Sequence, residues 1–213
     1  LNRTMQGQYP PGSTVKPMYA LAGLYYGINT PQSAVRDPGF YRLGGRGRKY
    51  RDWKKWGHGW SVDLDLAIAQ SCDVYFYDLA NRLGVDRIST FLGLFGFGNI
   101  TGIDIGGEKP GLLPSREWKR KAFSRPQDQV WFPGETVNFG IGQGYFLVTP
   151  LQLAHYPSIL ANHGRSFKPR LVSGVRDPVS GTIRRFAPEK GADITASPGQ
   201  WQIVMEGMEG AMR

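Results

Sequence analysis

The run of apolar and polar positions divides the chain into short helices around one long polar interruption. From about Ser13 to Tyr26 the pattern predicts a helix, entered from the extended Pro10-Pro11-Gly12 and ended at Gly27. Residues 28 to 60 carry no helical period, are rich in Gly and Arg, and leave room for a hairpin around Gly44 to Gly47. Ser61 then reads as an N-cap, and Val62, Leu64, Leu66, Ala67 and Ile68 predict a short buried helix. After Ser71-Cys72-Asp73 a helix is expected over 74–83, stopped by Gly84, and the next is capped by Asp86 and runs to about Leu94. Ser115 caps a short basic helix, and Thr149-Pro150 and Ser197-Pro198 are N-cap plus first-turn proline signals for two more. Between those two, residues 170–176 and 182–186 flank Asp177-Pro178-Val179-Ser180-Gly181, a strand-turn-strand pattern. Pro157 falls inside the helix that follows Pro150 and is expected to kink or shorten it. The fold class is therefore α+β, mainly helical with a little sheet and no internal domain boundary.

Composition narrows the class. The chain has 213 residues, enough for one sizeable core, with 40% hydrophobic and 20% charged residues, so it is globular. No apolar run approaches the roughly 20 residues of a membrane span. The net charge of +9 suggests an anionic partner. That charge concentrates at Arg42 to Lys55 and at Arg116 to Arg125. Tyr50, Trp53 and Trp56 interleave with the first stretch, but no nucleic-acid motif accompanies it, so it reads as a solvated basic loop whose aromatics pack inward. Cys72 is the only cysteine, which excludes an intrachain disulfide.

The candidate chemistry begins at Ser13-Thr14-Val15-Lys16-Pro17. Residues three apart share a helix face, so Ser13 and Lys16 are neighbours. Proline is tolerated in a first turn and costs about 3 kcal/mol in the interior, so Pro17 places the helix start close to Ser13. The hydroxyl then lies near the positive end of the helix, where free N–H groups favour an oxyanion. A serine needs a base, and lysine serves only when desolvation or a nearby cation keeps it neutral. A bare Ser-x-x-Lys is common, and alone it reads as an N-cap with an exposed lysine; its weight depends on companions. Ser71-Cys72-Asp73, between two predicted helices, is placed to project into a cleft, although Ser71 and Asp73 alone would read as helix caps. Gly140-Ile141-Gly142-Gln143-Gly144 followed by Thr149-Pro150-Leu151-Gln152 is a tight loop feeding a capped helix.

These three segments, in this order, resemble the transpeptidase domain of class B penicillin-binding proteins. The wording at Tyr50-Arg51-Asp52-Trp53 and Thr101-Gly102-Ile103-Asp104 is most similar to the penicillin-binding protein 2 branch. The resemblance covers nearly the whole chain and implies a β-lactamase/transpeptidase-like fold, with residues 1–213 as the central part of one transpeptidase domain, mainly its helical lobe. It implies a serine D,D-transpeptidase that cross-links peptidoglycan stem peptides and is acylated by β-lactams. Ser13 would be the nucleophile, Lys16 its base, Ser71 a proton relay and Asp73 a substrate-holding residue where Asn is usual. An ionised Asp73 would favour a charged Lys16 and weaken it as a base. The family's Lys-Thr/Ser-Gly element has no match here, so the chain by itself is expected to be inactive. Rival readings are a β-lactamase-type hydrolase, for which no Glu-x-x-Leu-Asn pattern exists, and a basic module binding polyanions.

Asp37, Asp52, His58 and Cys72 offer a mixed carboxylate, imidazole and thiolate set of a kind that zinc accepts, at a spacing that matches no standard finger. Cys72 alone reads as an ordinary small buried residue. The resemblance implies a structural zinc at these four positions and no organic cofactor. It further implies stem peptides and β-lactams as ligands and no nucleic acid. A membrane-embedded glycosyltransferase and elongation-complex proteins would be contacted through segments outside this chain. The implied location is the periplasmic face of the bacterial inner membrane, reached through an anchor also outside it.

Overall fold

The computed structural model describes residues 2–213. Helix α1 (Arg3–Gln6) leads to a 3-10 turn over Gly12–Val15, which runs directly into α2 (Lys16–Tyr25). Every residue of α2 from Lys16 to Leu24 is buried, as expected of a helix apolar on all sides. The polar interruption folds as four short strands, β1 (Val35–Asp37), β2 (Phe40–Arg42), β3 (Lys49–Arg51) and β4 (Gly59–Val62). They form two antiparallel ladders, with β1 on β4 and β2 on β3. The turn joining β2 to β3 contains Gly44 and Gly45 in the left-handed region, which produces the expected hairpin.

Helices α3 (Leu64–Ala69), α4 (Asp73–Leu83) and α5 (Val85–Leu94) follow. Then come α6 (Arg116–Ala122), α7 (Pro126–Gln129), α8 (Pro133–Phe139) and α9 (Pro150–Ala161). The exposed hairpin of β5 (Gly174–Arg176) and β6 (Ile183–Arg185) and the final helix α10 (Pro198–Gly210) complete the chain. Helix α4 is the hub. It packs against α2, α3, α5, α8 and both ladders, while α10 closes over α2 and α3. One continuous core from Val15 to Val204 results, built around Tyr19, Phe76, Phe91, Phe97, Phe139 and Phe146. No helix among the described residues is long and apolar enough to cross a membrane.

Four expectations change. Ser61 lies in β4, and the cap of α3 is Asp63, whose carboxylate accepts the Leu66 N–H at 3.0 Å. The ladder needs residues up to Val62, so the cap moves to the next side chain able to accept. Helix α5 starts one residue after Gly84, which places Asp86 inside its first turn, where it favours the helix dipole rather than capping. Pro157 does not shorten α9, which runs on to Ala161; Tyr156 and Ile159 on either side are buried, and packing offsets the lost hydrogen bond. Finally, Trp53 and Trp56 do not pack inward, being 64% and 81% exposed, whereas Tyr50 rests on Tyr77.

The remaining caps are as expected. Ser115 accepts the Trp118 N–H, and Thr149 with Gln152 and Ser197 with Gln200 form reciprocal capping boxes. The Gln152 amide also donates to the carbonyls of Asn99 and Pro110, at 2.7 and 2.8 Å, tying α9 to the preceding loop.

Candidate active site

The sequence places Ser71 immediately after α3 and before α4, and the backbone there is specific. Ser71 has φ 54°, in the left-handed region. Its N–H donates to Ile68 O at 3.2 Å, and the Cys72 N–H donates to Ala67 O at 3.0 Å. This pair of bonds closes a helix around one left-handed residue, a position usually taken by glycine. Serine there carries a cost of about 1–3 kcal/mol, tolerated where surrounding structure over-determines it. The chain then enters α4 through Cys72, whose Sγ accepts the Tyr75 N–H at 3.4 Å. Capping therefore falls to Cys72, which frees Ser71 and Asp73 for other contacts.

Those contacts are with Lys16. Its side chain is 2% exposed, and Nζ donates to Asp73 Oδ1 at 2.6 Å, to Ser71 O at 2.7 Å and to Ser71 Oγ at 3.1 Å. All three ammonium hydrogens are thus placed. Burial lowers the Lys16 pKa from its ordinary value; the Asp73 charge and hydrogen bond oppose this, and burial wins. Asp73 is held from its other side, since Oδ2 accepts the Trp53 N–H at 3.1 Å. Trp53 in turn donates from its indole to Gln70 O at 3.1 Å.

Ser13 is exposed within the 3-10 turn that precedes α2. Lys16 reaches Ser71 and Asp73, and Ser13 is not among its hydrogen-bond partners. Catalytic contacts commonly tighten only with substrate bound. The turn itself is clamped from outside α2. The Gly12 N–H donates to Gly142 O at 2.9 Å, and Tyr156 donates its hydroxyl to Thr14 O. Gly142 has φ 68°, and a Cβ there would stand 2.2 Å from Gly12 O. Glycine is therefore required at 142 by both backbone conformation and close approach. Tyr19 adds a second tie from α2, through its hydroxyl, to Phe139 O.

Asp37, Asp52, His58 and Cys72 also come together. One ligand atom from each lies within 4.8 Å of all the others. His58 Nδ1 is 2.7 Å from Asp37 Oδ2 and 3.6 Å from Asp52 Oδ1, and all three side chains are fully buried. Cys72 Sγ lies 3.4 Å from Asp37 Oδ2. Burial acts to raise the Asp37 pKa, but hydrogen bonds from His58, Gly39 and Cys72 outweigh it and the net shift is downward. Burial pushes the Cys72 thiol well up. Among the described residues, no Lys or Arg pairs with either carboxylate. Two buried carboxylates balanced only by one imidazole fit a divalent cation, which would also favour the thiolate form of Cys72.

Sequence reasoning named Lys16, Ser71 and Asp73, and separately Asp37, Asp52, His58 and Cys72; the structure brings each group together. It missed Trp53 as a support of Asp73, and Tyr156 as a tie on the Ser13 turn. The Trp53 contact is made by its backbone, and Tyr156 lies far along the chain from Thr14, so neither leaves a local signal.

Comparison with known proteins identifies the family and the fold. The sequence profile of the penicillin binding protein transpeptidase domain matches residues 1–212. The chain is 44% identical over 97% of its length to the peptidoglycan D,D-transpeptidase MrdA of Acinetobacter baumannii and spans 30% of that protein, about a third of the length of such relatives. Pseudomonas aeruginosa PBP2, crystallised in complex with WCK 5153, superposes with a TM-score of 0.85 at 47% identity, covering 98% of this chain and 45% of that one. Helicobacter pylori PBP2, in its complex with MreC, superposes with a TM-score of 0.78 at 32% identity, covering 99% of this chain and 36% of that one. The expected β-lactamase/transpeptidase-like fold is the fold of these neighbours.

Proposed function

The chain belongs to the penicillin-binding protein transpeptidase family, and from that premise we propose that it is the central part of a single peptidoglycan D,D-transpeptidase domain with Ser13 as nucleophile. The observation that carries this reading is the buried Lys16, three residues after Ser13, held on Ser71 with its pKa lowered. Lys16 in its neutral form takes the Ser13 proton as Oγ attacks the penultimate D-Ala carbonyl of a stem peptide. The terminal D-Ala leaves as its amine takes up a proton relayed through Ser71. An amine of a neighbouring stem then attacks the ester, forms the cross-linking amide and returns the proton to Ser13. Asp73 accepts a hydrogen bond from a substrate amide or from Lys16 as the proton moves.

Residues 1–213 contain no Lys-Ser/Thr-Gly element. No organic cofactor enters the chemistry. Asp37, Asp52, His58 and Cys72 would hold a structural zinc ion, whose charge would offset the two buried carboxylates and which would tie the 37–58 segment to Cys72 beside Ser71. β-Lactams acylate Ser13. The periplasmic face of the inner membrane is the place of action, with anchoring and contacts to a glycosyltransferase and elongation-complex proteins made through other segments. The assembly of the Helicobacter pylori relative with MreC supports that partner class.

The test is fluorescent-penicillin labelling of the full-length protein and its Ser13→Ala variant, with mass spectrometry of the adduct. A stable adduct on Ser13, absent from the variant, is expected. Rapid turnover would instead indicate a β-lactamase, and the absence of any adduct on folded protein would overturn the assignment.

A further inference from the structure

The basic loop between β1 and β4 presents a surface that the acyl-transfer chemistry leaves unused. Trp53, Trp56 and Trp60 are 64%, 81% and 77% exposed. Three exposed indoles within one short stretch of chain, from the loop into β4, mark a contact surface rather than a core. Residues 36 to 60 contain eight Lys and Arg residues and two acids. Both acids, Asp37 and Asp52, are buried in the metal-ligand quartet, so the outer face of the loop is wholly cationic. Among the described residues, none of those eight cations pairs with a carboxylate. Five of them lie over aromatic rings instead, with the Arg36 guanidinium 3.7 Å from the Trp60 ring centre and Lys55 Nζ 4.9 Å from that of Trp56. The same loop reaches the candidate active site, because the Trp53 N–H holds Asp73 Oδ2.

We propose that this loop is a docking surface for a peptidoglycan strand, with the sugar rings stacking on Trp56 and Trp60 and the stem carboxylates pairing with Lys54 and Lys55. The proposal rests on the transpeptidase reading and names how that enzyme holds the strand whose stem it acylates. The occupant must be anionic, because an unpaired cationic face selects for charge complementarity. It must also offer flat faces of C–H groups, because the negative face of an indole attracts them. A polymer of N-acetylated sugar rings bearing carboxylate-rich peptides has both properties in alternation. A loop braced at Asp73 would hold such a strand next to the acylation site.

The experiment uses the full-length protein and three probes: soluble uncross-linked peptidoglycan strands, the same strands stripped of stems by amidase, and phosphatidylglycerol vesicles. Trp56→Ala with Trp60→Ala is expected to weaken binding of both strand probes about ten-fold or more. Fluorescent-penicillin labelling of Ser13 and the thermal midpoint should stay unchanged. Lys54→Gln with Lys55→Gln is expected to weaken only the stem-bearing strands and to flatten their salt dependence. Unchanged strand binding in the tryptophan variant overturns the proposal. So does a loss confined to phosphatidylglycerol vesicles, which would assign the loop to a membrane surface. Strand binding is read without acylation, so a failure of penicillin labelling in the unaltered protein counts against the transpeptidase reading separately.

Discussion

Lys16 Nζ lies 2.6 Å from Asp73 Oδ1, and the lysine side chain in that ion pair is 2% exposed. Burial and the carboxylate act on the lysine in opposite directions, and burial dominates. Acylation of Ser13 requires neutral Lys16, so its rate should be low in acid, rise as Lys16 loses its proton, and level off below the ordinary lysine value of 10.5. Asp73→Asn removes the charge that raises the Lys16 pKa. The rising limb of the acylation profile is then expected at lower pH, measured as the second-order rate of penicillin acylation against pH. A limb that stays in place or moves upward would show that Lys16 is not the titrating base. Lys16→Arg, which cannot deprotonate, should abolish the limb together with the activity.

Ser71 separates stability from chemistry. Its left-handed backbone, φ 54°, suits glycine better than any residue with a Cβ. Ser71→Gly is expected to be more stable than Ser71→Ala by about 1 kcal/mol, or roughly 2–4 °C in thermal midpoint. Both variants lose the hydroxyl that meets Lys16, and acylation should fall by about 10²–10⁴-fold in each. Equal midpoints would mean that the strain is absent.

Gly142 and Gly144 form an internally controlled pair. Both have positive φ, but a Cβ at 142 would meet Gly12 O at 2.2 Å, whereas at 144 the nearest atom is 3.7 Å away. Gly144→Ala should cost only the conformational strain, about 1–2 kcal/mol. Gly142→Ala should cost more than that and should also displace the Ser13 turn, seen as slowed penicillin acylation at temperatures where the protein is still folded.

The four-ligand cluster predicts a metal content. Gently purified protein should hold about one zinc per chain by elemental analysis, and His58→Asn should lose it. Chelation should lower the thermal midpoint of the unaltered protein and leave that of His58→Asn nearly unchanged, since removing a ligand leaves little to strip. Zinc-free protein with an unchanged midpoint would remove the metal from the site.

Much of the site was legible in the sequence because its signals are local. Ser13, Lys16 and Pro17 fix a helix start by spacing alone, and Ser71 and Asp73 fall at a junction marked by the end of one apolar run and the start of the next. The Thr149 and Ser197 caps followed from the proline after each. Where capping was misread, at Ser61 and Asp86, a competing interaction decided. The β1–β4 ladder claimed Ser61, and Gly84 ended one helix and began the next.

What the sequence determined by itself is therefore most of the helices, α1, α7 and α8 excepted, the residue types available for acyl transfer and the absence of an intrachain disulfide, because each depends on near neighbours or on counting. The tertiary structure alone decided that Lys16 turns to Ser71 and Asp73, that Trp53 and Tyr156 brace the site, and that the tryptophans of the basic loop face outward. Those outcomes depend on contacts between residues far apart in the chain, where burial and hydrogen-bond satisfaction, rather than local preference, select the arrangement.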